Sequence, residues 1–427
     1  MLRLYVFLLV LGSWVSSGLV AQKTLLHCGT LIDPATGKVE QQVTIVVEKG
    51  KVVSVEKGYT KPAAADAVVD LKKLTVMPGL IDLHVHLESE TRQGNVVDRF
   101  IMNPADIAFG STIYARKTLM AGFTTVRDLG GSGVNVALRN AINRNTVVGP
   151  RIFTSGKSIA TTGGHADPTN GYRKDLMGNP GPNEGVINGP DDAYQAVRQR
   201  YKDGSDCIKI TATGGVLSQA KDGANAQFTL EEVKAVVAAA KDYGFKVAAH
   251  AHGAEGIKRA IIGGVTSIEH GTFMDDEAIA LAKQYGTWLV PTITAGKSVA
   301  DSAKIPGYYT DIVTPKALAT GPQIQATFAK AYRAGVKIAF GTDAGVFAHG
   351  KNWLEFVYMT EAGMPAMEAI KCATVHAAEV LGMSEMLGSL APGKLADIIA
   401  VQGNPLADIK VMENVVFVMK EGRIYKQ

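Results

Sequence analysis

Cysteine is scarce in this 427-residue chain: Cys28, Cys207 and Cys372 lie far apart and are odd in number. That excludes a disulfide framework. Tryptophan is equally sparse, with 3 residues, and no pair of strand-end carboxylates is spaced for glycoside chemistry, which sets aside a sugar-processing protein. An excess of one charge is also missing. The net charge is +4 with both signs mixed throughout, so there is no nucleic-acid footprint. No Gly-x-Gly-x-x-Gly turn follows the apolar stretch at Leu80, which counts against an open doubly wound sheet. The apolar run from Leu4 to Val15 is too short to span a bilayer comfortably.

That run has the makings of an export signal instead. Arg3 supplies a short positive start, and Leu19-Val20-Ala21 offers a cleavage site before Gln22. Residues 1–21 are therefore expected to be removed. The mature protein would be periplasmic or secreted, with no membrane segment. His27 stands before Cys28 where a lipoprotein-type site needs a small residue.

What is present points to a large core. Hydrophobic residues make up 46% of the chain, and 46 glycines imply many tight turns. The two ends share one texture of short apolar strands. Val43-Thr44-Ile45-Val46-Val47 and Val52-Val53-Ser54-Val55 flank Lys49-Gly50, and Ile398-Ile399-Ala400-Val401 and Val415-Val416-Phe417-Val418 lie near the other end. We expect residues 22–78 and 391–427 to build one β-sandwich.

Between them, strand and helix alternate. After the strand at Leu80–His86, strands are expected at 124–126, 151–153, 207–210, 246–249, 267–269, 288–290 and 337–340. Thr229 with Glu232 forms a capping box ahead of a helix that ends at Gly244. Helices at 254–262 and 277–285 also end at glycine. Eight such units over residues 79–390 indicate an α/β fold, a TIM (β/α)8 barrel. Two stretches, Thr161 to Pro190 and Ala295 to Thr320, read as long loops of the kind that bind ligands.

The strand ends carry the chemistry. His84 and His86 alternate onto one face of the opening strand. Two imidazoles side by side on a buried strand are costly unless something uses them, and a metal ion is the usual user. Lys209 falls on the fourth strand, His250 and His252 at the fifth, His270 on the sixth and Asp343 on the eighth. Five of the nine histidines therefore meet at one rim. Imidazole and carboxylate suit zinc or a similar divalent ion. Lys209 should not stay charged there without a partner. Pairing with an acid or a turn toward solvent is the plainer account of it. A lowered pKa and reaction with carbon dioxide to a metal-bridging carbamate is the other.

Pro78-Gly79-Leu80-Ile81-Asp82-Leu83-His84-Val85-His86, the Lys209 strand, His250, His270 and Gly341-Thr342-Asp343 together resemble the amidohydrolase superfamily. Thr161-Thr162-Gly163-Gly164-His165, Lys209-Ile210-Thr211-Ala212-Thr213-Gly214-Gly215-Val216 and Ala248-Ala249-His250-Ala251-His252-Gly253 bring the likeness closer. They resemble the branch of exported dipeptidases and carboxypeptidase-like enzymes that includes ochratoxin-hydrolysing amidohydrolases.

The resemblance implies two divalent metals, zinc the expected ion. His84, His86 and Asp343 would hold the more buried one and His250 and His270 the other, with carboxylated Lys209 between them. A bridging hydroxide would attack the amide, and Asp343 would carry its proton to the leaving amine. Of His252 and His165, one is expected to donate to the substrate carbonyl or carboxylate. Glu88, next in the His84–His86 alternation, is a candidate for the pocket rim. The implied substrates are small molecules: dipeptides, N-acyl amino acids and ochratoxin A-like amides. The implied assembly is a homo-oligomer, possibly an octamer.

Two alternatives stand beside this reading. One-metal deaminases and imidazolonepropionases resemble one another in a His-x-x-Glu or His-x-x-Gln at the fifth strand, but the residue three past His250 is Gly253. A metal-free binding barrel would be expected to lack ligands, and none is missing.

Overall fold

The computed structural model describes residues 22–94, 97–221 and 223–427; the export-signal expectation for residues 1–21 lies outside them. Among the described residues no helix is long and apolar enough to cross a membrane.

The two ends of the chain do join. Strands β1 (Thr24–Asp33), β2 (Lys38–Glu48), β3 (Lys51–Lys57) and β4 (Ala67–Pro78) come from the first part. The middle supplies β5 (Leu80–Val85), β6 (Phe123–Asp128), β7 (Arg151–Thr154), the short β8 (Ala160–Thr161) and β9 (Val186–Ile187), β10 (Ile208–Thr211), β11 (Val247–Gly253), β12 (Ser267–Phe273) and β13 (Trp288–Val290). The last part adds β14 (Ile398–Val401), β15 (Val415–Lys420) and β16 (Arg423–Lys426). The terminal strands form one seven-stranded sheet in the order β16-β15-β14-β4-β1-β2-β3. Its seam is the antiparallel pairing of β14 with β4, Ile398 opposite Pro78 through Val401 opposite Thr75.

The sandwich expectation is met by a single sheet that bends over its own core. Val47 and Val52 of β2 and β3 share one apolar cluster with Ile398, Phe417 and Met419 of β14 and β15. The Val52 amide donates to the Lys394 carbonyl, so the far edge comes back to the opposite end. Pairing continuous through β4–β14 leaves no second sheet to face the first.

In the middle, β5-β6-β7 and β10-β11-β12-β13 are parallel. Strands β5, β6 and β11 are buried at every position, as parallel strands covered on both faces must be. Parallel bridges Ile159–Ile210, Leu289–Ile338 and Val85–Ala344 link these sets and return to β5. The helix Leu230–Asp242 begins with the expected capping box, Thr229 Oγ1 accepting from the Glu232 amide.

Two expectations need correction. Residues 337–340 form no ladder strand. The Phe340 carbonyl accepts from Leu83 and the Ala344 carbonyl from His86, so one more residue is fitted here than on β5. That is a bulge, and it turns on Asp343 at φ 61°. The stretch 295–320 is helix–turn–helix, Ile293–Ala303 and Thr314–Arg333. Gly296 sits inside the first helix, and Pro315 lies in the first turn of the second, where the missing N–H costs nothing. The other long loop, 161–190, contains β9 and is tied by Asp167, which accepts from Gly163 and Thr169.

Candidate metal centre

The ends of β5, β10, β11 and β12, together with the Asp343 bulge, open into one cavity of about 260 Å³. His84, His86, His165, Lys209, His250, His252, His270 and Asp343 all line it. These eight residues, all expected from the sequence, are thus brought to one place. Glu88 is not. Its carboxylate accepts from the Ser132 and Asn135 amides at 2.7 Å each and caps the helix Val134–Asn143. Arg173 pairs with Asp175 in the 161–190 loop, and neither Arg173 nor Tyr172 lines the cavity.

Five of these imidazoles share one arrangement: one ring nitrogen is engaged by a carboxylate, a backbone carbonyl or a hydroxyl. His84 Nδ1 lies 3.0 Å from Glu269 Oε2 and His86 Nδ1 2.9 Å from the Gly130 carbonyl. His250 Nε2 lies 3.1 Å from the Gly214 carbonyl. His252 Nδ1 is 2.8 Å from Thr272 Oγ1 and His270 Nδ1 is 2.7 Å from Thr292 Oγ1. Fixing one nitrogen in this way orients the ring and offers the second as a ligand. His84 Nε2 lies 3.3 Å from Lys209 Nζ, and Asp343 Oδ1 is 3.1 Å from His86 Nε2 and 3.6 Å from His84 Nε2. Two sets have ligand atoms within 4.8 Å of one another: His250, His252 and His270, and His84, His270 and Asp343. His252 therefore stands within ligand range as well as beside the cavity.

Electrostatics suit cation binding. Burial pulls His84 and His252 down to about 4 and His165 to about 3. Burial and the neighbouring imidazoles hold His250 and His270 well below the ordinary imidazole range. These rings are neutral at pH 7, the form that binds metal. His86 is raised instead, because Asp343 outweighs burial. Burial brings the Lys209 amine down to about 8 against the pull of Glu269 and Asp343. Asp343 is lowered, since His84, His86 and Lys209 overcome its burial. The donor set, neutral imidazoles and a carboxylate around one enclosed space, fits a divalent cation.

His165 comes from the 161–190 loop. Its ring stacks on His250 with centroids 4.3 Å apart, and its Nδ1 has no partner. Any side chain at Gly215 would collide with this ring, so the Gly214-Gly215 pair serves a close approach.

The residues behind the ligands were missed by sequence reasoning. Arg127 donates to Glu269 Oε1 at 2.8 Å while Glu269 holds His84. Burial alone would raise Glu269, but Arg127, His84 and Lys209 prevail and hold it at about 2. Asp82 accepts from the amides of His84 and Thr342, from the Thr342 hydroxyl and from Asn352, tying β5 to the Asp343 bulge. The available signal was an arginine and a glutamate within apolar strands, each needing a partner.

A buried rim of histidines, lysine and aspartate at the ends of parallel strands defines an amidohydrolase. Residues 75–425 match the amidohydrolase family, and the chain belongs to it. More particularly, it falls in the branch that includes ochratoxinase-like proteins. It is 31% identical to the ochratoxinase of Aspergillus niger over 432 residues, spanning 95% of this chain and 87% of that protein. Among solved structures it resembles a Xaa-Pro dipeptidase with methionine bound in its active site. The identity is 55% and the TM-score 0.93, covering 95% of this chain and all of that one. A prolidase complexed with N-methylphosphonate-L-proline is 31% identical with a TM-score of 0.87, at 95% and 100% coverage. The chain is accordingly a hydrolase of the amidohydrolase family.

Proposed function

We propose that this protein is a binuclear metal-dependent amidohydrolase that cleaves the amide bond to a C-terminal amino acid. Dipeptides, Xaa-Pro among them, N-acyl amino acids and ochratoxin A-like amides are the substrate class. The observation that carries the reading is the set of five imidazoles. Each is tied outward at one nitrogen, and all line the cavity that also holds Lys209 and Asp343. The closed circuit of parallel pairings supports a (β/α)8 barrel as the frame.

His84, His86 and Asp343 would hold one divalent cation and His250 and His270 a second, zinc being the expected ion, with Lys209 as a carbamate between them. When bound, the cations supply a water activated near neutral pH and polarise the scissile carbonyl. Asp343 takes a proton from the attacking water at its carboxylate and delivers it to the leaving amine nitrogen. His165 or His252, both of which line the cavity, would bond the substrate carbonyl or carboxylate. An amine as low as Lys209 has a substantial neutral fraction at pH 7–8, the form that adds carbon dioxide. Export before Gln22 and a homo-oligomer, possibly an octamer, complete the proposal.

A screen of dipeptides, N-acyl amino acids and ochratoxin A with metal-stripped and zinc-restored protein tests it. Turnover restored by zinc is expected, and no hydrolysis of any of these by protein carrying metal would overturn it. Lys209→Ala should lose metal and activity together, with partial rescue by a short carboxylic acid. Full metal content in that variant would overturn the carbamate.

A further inference from the structure

Among the described residues, seven other than glycine have positive φ: Gln42, Lys49, Asn145, His270, Thr292, Asp343 and Glu421. Thr292 stands apart as the one β-branched residue, at φ 51° and fully buried. A threonine in the left-handed region is a genuine outlier, and it persists only where surrounding bonds impose it. Here they are visible. The Thr292 amide donates to the Gly341 carbonyl at 3.2 Å. The next two amides, of Ile293 and Thr294, donate to the two oxygens of Glu355 at 2.8 Å each, and the Thr294 hydroxyl adds a third bond at 2.6 Å. Glu355 is itself fully buried and comes from a different helix, Leu354–Glu361.

The strained residue faces the site. Thr292 Oγ1 meets His270 Nδ1 at 2.7 Å, and His270 too has left-handed backbone, φ 72°. His270 is the residue that belongs to both ligand sets. Glu355 touches nothing in the cavity, yet its three bonds fix the turn from which the Thr292 hydroxyl reaches the ring.

We propose that Glu355 is a positioning residue for the ligand His270, acting through the left-handed turn at Thr292. The proposal rests on the metal-dependent reading above. Both side-chain oxygens are needed because each accepts from an amide. An amide offers one acceptor and sets an N–H against another N–H. Thr292 is needed for its hydroxyl, and the surrounding bonds tolerate its backbone cost.

The test uses full-length protein with bound metal. Four variants separate the parts: Thr292→Ser keeps the hydroxyl, Thr292→Val removes it, Thr292→Gly removes it while easing the backbone, and Glu355→Gln removes one acceptor. Metal retention against a chelator, the visible spectrum of cobalt-substituted protein and kcat and KM are measured on each. Loss of such an outer bond costs about 10–100-fold in metal affinity. We expect that loss, with an altered cobalt spectrum, in Thr292→Val, Thr292→Gly and Glu355→Gln, and wild-type values in Thr292→Ser. Wild-type retention and spectrum in folded Glu355→Gln protein overturn the proposal, and the Thr292 series tests the link through which Glu355 acts. Wild-type retention and spectrum in Thr292→Gly and Thr292→Val overturn the proposal while leaving the metal reading intact. A wild-type protein that binds no cobalt or zinc overturns both.

Discussion

The terminal sheet and the histidine rim use the same unusual backbone in opposite ways. In the sheet, left-handed residues such as Lys49 and Glu421 stand at turns, each followed by a glycine, and the core beneath is aliphatic apart from Cys28, Phe417 and Met419. Around the rim, His270, Thr292 and Asp343 carry that backbone where they are buried. Their side chains meet polar partners, His270 with Thr292 and Asp343 with His86. A turn in water needs only local permission. A strained, buried residue needs a network that over-determines it, and the network is what aims the side chain. Strain marks function in one region and a change of direction in the other.

Three substitutions sharpen or break that contrast. Asp343→Asn should have the largest effect. It keeps the bulge and the size of the side chain but removes the proton carrier, and general acid–base catalysis contributes about 10²–10⁴-fold. Turnover should fall by that order with the melting temperature little changed; comparable turnover would end the role given to Asp343.

Glu269→Gln should act on both metal binding and stability. It leaves Arg127 buried with a neutral partner, and breaking a buried pair costs about 3–5 kcal/mol. His84 would lose its carboxylate at a cost of about 10–100-fold in metal affinity. The sign of the pH dependence follows from a carboxyl held at about 2 against an ordinary 4.5. The stabilisation is fully present above 4.5 and is lost as pH falls toward 2. Denaturation of metal-free protein should therefore show the gap between wild type and variant narrowing in acid. A gap that widens would contradict the assignment.

Lys49→Gly should do least. Glycine relieves the left-handed cost but adds entropy to the unfolded chain, so stability should move by no more than about 1 kcal/mol. Activity should not change. A loss comparable to that expected for Thr292→Gly would erase the distinction between the two regions.

Much of this was legible in the chain because strand alternation is local. His84 and His86 declare a shared face within three residues, and the capping box at Thr229 declares a helix start within four. Their partners were not legible. Arg127 and Glu269 lie 142 residues apart, and neither has a local pattern that names the other. The helical hairpin at 293–333 was hidden by Gly296 and Pro315, which look like breakers and are harmless where they stand. Glu88 obeyed the alternation of β5 on paper, but the strand ends at Val85, and its carboxylate serves the start of a neighbouring helix instead. The eighth strand failed as a strand for the reason that makes it useful: the extra residue that spoils the ladder is what turns at Asp343.

The seam between β4 and β14 has a consequence for how the protein is made. The segment 75–78 runs directly into β5, and the Gly79 amide donates to the Asp397 carbonyl. The root of the strand that leads to His84 and His86 is thus held on one side by β1, made early, and on the other by β14, made much later. A premature stop before residue 398 would not yield a smaller working enzyme. It would leave the edge of β4 that pairs with β14 bare, an invitation to aggregate.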